Sequence, residues 1–328
     1  MRTDYVTCVL SAAFAAAAAA PSMAAESPAT WPSKPVRMVL PFTAGSPVEI
    51  PARPIAQRIS EALGQQFVFD YRTGASGTIG TEVVAKAPKD GYTLLVTNCS
   101  HSSNPAHHKK LPYDTLADFA PVTQTNFTYG NFLTVHPSVP VRSVKEFIAL
   151  AKAHPGKLHY ASAGVGSPPH VTGALFAAMA GIRLTHVAYK GTSVAFNDVL
   201  GGHVEVMFSS PPFTAPFIAA GKVRALGIAG PVRSPHFPDI PTFDESGLTG
   251  YDVRCYHGLW FPTGTPNEIV RKLRAEVVKV LGAPEVKKHY FDNDLLPVGN
   301  TPEEFQEFLA KDIARQVNIA KTIGLTPQ

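Results

Sequence analysis

The sequence predicts an α/β fold in two lobes with a ligand cleft between them, and three observations carry that prediction. From Val36 onward, short β-branched runs alternate with segments of helical periodicity, the pattern of sheets covered by helices. About 300 residues follow an apolar N-terminal segment, enough for two cores of ordinary domain size. Pro-containing stretches around Pro121 and Pro137, and again from Pro231 to Pro241, set a middle block off from both ends.

The N-terminal segment has the layout of a secretory signal peptide: Arg2 in a short polar stretch, an apolar run from Val6 to Ala20, then a break at Pro21. Ser22 and Ala24 supply the small residues of a cleavage site, so residues 1–24 are read as a leader and the mature chain as starting near Ala25. The run is shorter than the roughly 20 residues that span a bilayer. Cys8 precedes the apolar core, which is the wrong side for a lipid anchor.

The strand candidates that follow are Val36 to Phe42, Gln66 to Tyr71, Tyr92 to Asn98, Leu158 to Ser162, Leu184 to Tyr189, His203 to Ser209 and Val223 to Ala229. Their spacing argues for parallel sheets. Ile55, Ile59 and Leu63, with Ala52, Ala56 and Ala62, lie on one helix face, and Pro51 and Pro54 are expected in its first turn. Ser143 with Glu146, Thr265 with Glu268, and Thr301 with Glu304 each read as a helix start in which a hydroxyl and a carboxylate three residues on cap one another. The expected division is a discontinuous first lobe, residues 25–125 and 236–328, with residues 126–235 inserted as the second. Segments near Val122 to Val135 and Val253 to Phe261 then cross between lobes at the cleft floor.

Composition excludes several functions. The formal charge of +4 is scattered without a basic run, so nothing forms a nucleic-acid footprint. No G-x-x-x-x-G-K-[ST] pattern occurs, and Pro169 stands where a dinucleotide fingerprint from Gly164 needs a small residue. The 12 histidines lack metal-ligand spacing, and no G-x-S-x-G elbow is present. Ser167 and His170 are close enough in sequence to meet on one helical turn, but a Ser at a helix start is ordinarily a cap or an anion ligand. Catalytic residues, metals and cofactors are therefore not expected. Beyond the leader only Cys99 and Cys255 remain; an oxidising compartment permits a bond if the fold brings them together, and spacing does not decide it.

Three places run from a strand through a Gly-rich turn into a helix: Pro41 to Pro47, Arg72 to Thr78, and Ala161 to His170. Helix N-termini offer unpaired N–H groups and partial positive charge, and Gly allows an anion close to the backbone. In open α/β sheets such turns gather along one edge. The ligand-binding candidates drawn from them are Phe42, Thr43, Ala44 and Ser46 in the first turn, Ser76 in the second, and Ser162, Gly164, Gly166, Ser167 and His170 in the third.

The stretch Trp31 to Arg37 leading into Pro41 and Phe42, then Arg72 to Gly80, Asp90 to Leu95, Leu111 to Asp114, Tyr160 to Gly164, Tyr189 to Gly191, Gly221 to Leu226 and Pro262 to Pro266 together resemble the Bug-type substrate-binding proteins of tripartite tricarboxylate transporters. The resemblance covers essentially the whole chain beyond the leader. It implies a type II-like periplasmic binding protein fold that closes on its ligand, a periplasmic location, and delivery of the ligand to the transporter's membrane subunits. It also implies that one ligand carboxylate is held by the first turn together with Ser162 to His170.

Two departures bear on the ligand. After Pro41 and Phe42 the family usually continues Pro-Gly-Gly and then an Asp, where this chain has Thr43 to Glu49. Where the family often has an Asp after Met-Phe, this chain has Ser209. Losing a cleft carboxylate removes a partner for an ammonium group and relieves repulsion of a second ligand carboxylate. A dicarboxylate or aromatic carboxylate is therefore expected over an amino acid. His101, with Phe127, Tyr129 and Tyr256, is expected to shape the distal pocket, and Lys190 to approach the ligand. A sensor read through its closed form, or an exported hydrolase using Ser167 and His170, are the alternatives in other functional classes.

Overall fold

The computed structural model describes residues 30–325, so the leader expected over residues 1–24 lies outside the described residues. In chain order the elements begin β1 (Val36–Leu40), α1 (Glu49–Leu63), β2 (Phe67–Tyr71), α2 (Thr78–Ala85), β3 (Thr93–Asn98), α3 (Ser100–His107) and β4 (Phe119–Thr128). The middle of the chain forms β5 (Phe132–Val135), α4 (Val144–Ala153), β6 (His159–Ser162), α5 (Pro168–Ala180), β7 (Thr185–Ala188), α6 (Thr192–Leu200), β8 (Val206–Ser209), α7 (Pro211–Ala219) and β9 (Arg224–Ile228). It returns through β10 (Tyr256–Pro262), α8 (Asn267–Gly282), α9 (Pro284–Asp292), β11 (Leu295–Pro297) and α10 (Pro302–Thr322).

These strands form two sheets, one ordered β11, β4, β10, β3, β1, β2 and the other β7, β6, β8, β5, β9. Neither is wholly parallel, contrary to the expectation from strand spacing. β1 runs parallel to β2 and β3, but β10 lies antiparallel between β3 and β4. Likewise β6 is parallel to β7 and β8, while β5 is antiparallel to β8 and β9. The reason is topological: the chain leaves the first sheet along β4 and re-enters it along β10, and an outgoing strand beside a returning one must oppose it.

Strand alternation divides the core of the first sheet between its faces. Met38, Leu94, Val96, Leu259 and Phe261 pack with α1 and α8 on one face, and Val39, Leu95 and Trp260 pack with Phe305 and Leu309 of α10 on the other. In the second sheet Tyr160 and Phe208 face Phe147 and Phe176, while Ala161 and Met207 face Phe196 and Val199. Phe243, Leu248, Tyr251 and Val253, which the expected division placed with the first lobe, pack into the second core. Ile319 and Ile323 at the end of α10 also pack against that core, so α10 touches both.

Two of the three expected caps form. Ser143 Oγ accepts the N–H of Glu146, and Thr301 with Glu304 makes the full reciprocal pair. Thr265 instead donates its hydroxyl to the Pro262 carbonyl, and α8 starts without a side-chain cap. Pro54 sits beyond the first turn of α1, which begins earlier than expected, at Glu49. A proline there leaves the carbonyl four residues back without its helical donor. That carbonyl belongs to Ile50, and His289 Nε2 lies 3.1 Å from it.

Between the lobes, the backbone of β4 to β5 runs against the segment after β9. A methyl placed on Gly230 would lie 1.7 Å from the Tyr129 carbonyl oxygen, and Gly130 has φ +119°. Cys99, just after β3, is disulfide-bonded to Cys255, just before β10, with Cα atoms 5.2 Å apart. The pairing that spacing left open is thus decided by the adjacency of β3 and β10. Among the described residues, no helix is long and apolar enough to cross a membrane.

Candidate functional site

The carboxyl ends of β1, β3, β6 and β8 face one cleft, where turns into α1, α3, α5 and α7 also meet. Its mouth, about 540 Å³, is lined by Phe42 and Thr43 of the first turn, Thr73 to Gly77 of the second, Gly164, and Tyr189 to Thr192. Phe42, Ser46, Ala163 and Thr192 also line a narrower inner recess. That recess, about 40 Å³, has room for roughly three water-sized groups. Its remaining walls include Asn98, Thr128, Asn131, Ser167, Ser209, Ser210 and His257. No Asp, Glu, Lys or Arg is among the described residues lining it.

At the third turn hydroxyls carry more of this site than helix amides do. The third turn uses its own donors: Gly164 N–H goes to Ser162 Oγ, Gly166 N–H to His170 Nδ1, and Ser167 N–H to the Gly164 carbonyl. α5 then opens on Pro168 and Pro169, which have no N–H to offer. Ser46 Oγ from the first lobe and Ser210 Oγ from the second are both buried without a hydrogen-bond partner among the described residues. A buried hydroxyl left unpaired costs about 1–3 kcal/mol, so both are poised for an acceptor or donor brought from outside. The helix ends that surround them still contribute a positive potential.

The first turn is held from behind by an acid. Glu49, 3% exposed, accepts the N–H of Gly45 at 2.7 Å and pairs with Arg53. Ala44 therefore turns outward with Gly45 onto the groove beside Glu49 and Arg53, away from the cleft. The acidic residue of this turn is committed to its shape.

Of the other predicted residues, Phe42, Thr43, Ser46, Ser76, Gly164, Ser167, Lys190 and Ser209 stand on the cleft wall. Ser76 Oγ donates to the Val165 carbonyl, and Ser167 Oγ to the Gly164 carbonyl at 2.6 Å. Ser209 Oγ is paired with Thr134 Oγ1 at 3.3 Å, so the free hydroxyl of this strand end is that of its neighbour Ser210. Lys190 is exposed at the mouth.

Several predicted residues sit elsewhere. Ser162 lies behind its turn, 2.6 Å from His186 Nε2, and His170 packs at a tilt against His186 with ring centres 4.3 Å apart. Gly166 packs on the His107 ring. His101 is 1% exposed, wedged between Phe119 and Trp260, and burial pushes its pKa down to about 3. It is a core residue, because the face of α3 that carries it turns toward the sheet. Tyr256 is likewise buried, against Phe305 and Phe308, and Phe127 packs on Phe308 beneath Arg254.

The polar floor escaped sequence reasoning. Asn98 on β3, His257 on β10 and Asn126 on β4 stand opposite one another across three adjacent strands. Thr125 Oγ1 donates to Asn126 Oδ1 at 3.0 Å, which leaves Asn126 Nδ2 to donate to His257 Nδ1, also at 3.0 Å. An accepting Nδ1 fixes the neutral tautomer with its proton on Nε2. Burial holds the ring neutral, its pKa pushed down to about 3. A polar residue at the carboxyl end of a strand was the available signal for Asn98.

A sequence profile described as "Tripartite tricarboxylate transporter family receptor" matches residues 51–325. The chain belongs to that receptor family. One member, protein BugT of Bordetella pertussis (strain Tohama I), is 32% identical over 300 residues, covering 90% of this chain and 91% of BugT. Among solved structures similar to this receptor, R. palustris Rpa4515 with adipate has a TM-score of 0.88 at 35% identity, covering 91% of this chain and 100% of that one. Periplasmic binding protein BugD has a TM-score of 0.85 at 32% identity, covering 91% of this chain and 100% of BugD. The two-lobed fold of these receptors and the α/β architecture read from the sequence agree.

Proposed function

We propose that the chain captures a small organic carboxylate without an ammonium group, a dicarboxylate or an aromatic carboxylate, and hands it to the membrane subunits of a tripartite transporter. The observation that carries this reading is the pair of unpartnered buried hydroxyls, Ser46 on one side of the recess and Ser210 on the other. A ligand bonded to both contacts two lobes at once, which selects the closed form. Recognition falls to hydroxyls, backbone and helix ends, since the recess walls offer no ionised partner.

With Ser209 where an acid would pair an ammonium group, amino acids are disfavoured. Adipate in the related Rpa4515 structure supports the carboxylate class. In this reading the first lobe is assembled from two separated stretches with the second inserted between them. The protein works in the periplasm after losing residues 1–24, and its activity is binding without turnover.

A thermal-shift screen of the protein from Ala25 onward tests this, using aliphatic dicarboxylates, tricarboxylates, aromatic carboxylates, amino acids and neutral sugars. A ligand at a hundred times its Kd adds about 2.7 kcal/mol of stability. The expected result is a shift confined to acids lacking an amino group. Shifts with amino acids or sugars alone, or with nothing in the panel, would remove the carboxylate reading.

A further inference from the structure

Resting on the carboxylate reading above, we infer that His257 and Asn98 form a donor pair on the cleft floor that receives the far end of the ligand and makes the site selective for dicarboxylates. Asn98 continues the alternation of Leu94 and Val96 along β3, and His257 that of Leu259 and Phe261 along β10, so both side chains rise from one face of the sheet. Their positions pair directly across the two strands. Directly opposite residues on one face have Cβ atoms about 5 Å apart, a spacing that brings two donors to the two oxygens of one carboxylate. Both line the recess.

The chemistry of each group is fixed from behind. Asn126 holds His257 in the Nε2–H form, and Asn98 Oδ1 accepts the Ser100 N–H at 3.0 Å, which turns its NH₂ into the available end. What the floor offers is therefore donors without charge. The first turn of α3 begins just beyond Asn98, and its helix dipole adds positive potential at the same spot. An apolar ligand terminus would leave these buried donors unpaired, and a site built to hydrogen-bond a group rejects the analogue that lacks it. An ammonium terminus would meet donors only.

Isothermal titration with acid pairs of equal chain length tests the assignment: succinate against butyrate, adipate against hexanoate, suberate against octanoate. In the wild type the diacid of the best-fitting pair is expected to bind at least about tenfold more tightly than its monoacid. His257→Phe should collapse that ratio toward one, by weakening diacid binding and by relieving the donor that a monoacid leaves unpaired, and Asn98→Ala should lower the ratio in the same direction. Asn98→Ala keeps the Asn126 to His257 bond, so it reads the floor even if His257→Phe fails to fold. A diacid preference that survives in the folded variants, or a wild type that binds monoacids equally well, overturns the inference and leaves the carboxylate reading standing. A wild type that binds no acid of any pair or of the wider panel overturns both.

Discussion

Ser76 Oγ donates a hydrogen bond of 2.5 Å to the carbonyl oxygen of Val165, so a hydroxyl of the first lobe is tied to the backbone of the second across the cleft mouth. Ser103 Oγ repeats the arrangement deeper in, at 2.9 Å from the Gly166 carbonyl. Both bonds span the two lobes, so an opening that parts the lobes at the cleft would have to break them. Ser76→Ala and Ser103→Ala should therefore each weaken ligand binding about fivefold, chiefly through faster release. Stopped-flow release rates check this; unchanged rates in both variants would show that closure does not depend on these bonds.

Ser46→Ala and Ser210→Ala should act on binding and stability in opposite senses. Each removes a hydrogen bond to a charged ligand, a loss of roughly 10- to 100-fold in affinity. Each also removes an unpaired buried hydroxyl, so the ligand-free protein should be as stable as wild type or slightly more so. Calorimetric titration beside ligand-free melting curves separates the two effects. A variant that loses stability and affinity together would mark a structural role instead.

The Cys99 to Cys255 bond closes a loop across a sequence separation of 156 residues. Long loops restrict the unfolded chain most, and losing a native disulfide typically costs about 2–5 kcal/mol. Urea denaturation with and without reductant should show a fall of that size, matched by Cys255→Ser. Equal midpoints under both conditions would mean that the adjacency of β3 and β10 is secured without the bond.

Acid should destabilise the protein over a defined window. Burial pushes His101, His170 and His257 down to about 3, and burial with the charge of His108 pushes His107 down to about 4, from an ordinary 6.5. Between 6.5 and those values the unfolded chain binds protons that the folded chain refuses. The contribution of these rings is thus complete above pH 6.5 and declines as pH falls toward 3. At pH 5 a fully buried neutral histidine accounts for about 2 kcal/mol of that decline. Melting temperature should drop steadily from pH 7 to 4, and His101→Phe should flatten the slope. A slope identical to wild type in that variant would show that His101 is not among the linked groups.

Gly230→Ala should be far more damaging than its size suggests. The added methyl meets the Tyr129 carbonyl oxygen at 1.7 Å, where the backbones of two lobe-crossing segments touch. Relief requires separating those segments, at a cost above about 3 kcal/mol. Loss of soluble protein or a large fall in melting temperature is expected; a variant that melts like wild type would mean the crossing is plastic.

Seven strands of the two sheets were legible in the sequence; β4, β5, β10 and β11, which bring the antiparallel pairings, and with them the floor of the cleft, were not. All seven strand candidates appear with ends shifted by a few residues, because short β-branched runs bounded by turns are a local signal. Thr301 and Ser143 cap as expected, whereas Thr265 turns to Pro262. The first and third Gly-rich turns likewise led to Ser46 and Ser167 on the cleft wall. His101 misled because nothing within α3 says that Phe119 and Trp260 will enclose it. His257 matters through its register with Asn98 and Asn126, strands more than a hundred residues away in sequence. Such non-local pairing leaves no pattern in a single segment.

The position of β10 has a consequence for how the molecule is assembled. Among the described residues β4 pairs only with β10 and β11, so a chain that has emerged as far as Thr128 carries a strand with no neighbour until residue 256 arrives. The second sheet, by contrast, draws on one uninterrupted stretch, residues 132–228. It can complete its strand set first, while β1, β2 and β3 wait with one edge bare and Cys99 waits as a free thiol. The last strand to arrive in the middle of the first sheet is the one that brings His257 to the floor and Cys255 to its partner. Ligand competence is therefore a late event in the life of each copy, reached when the chain's final third comes home.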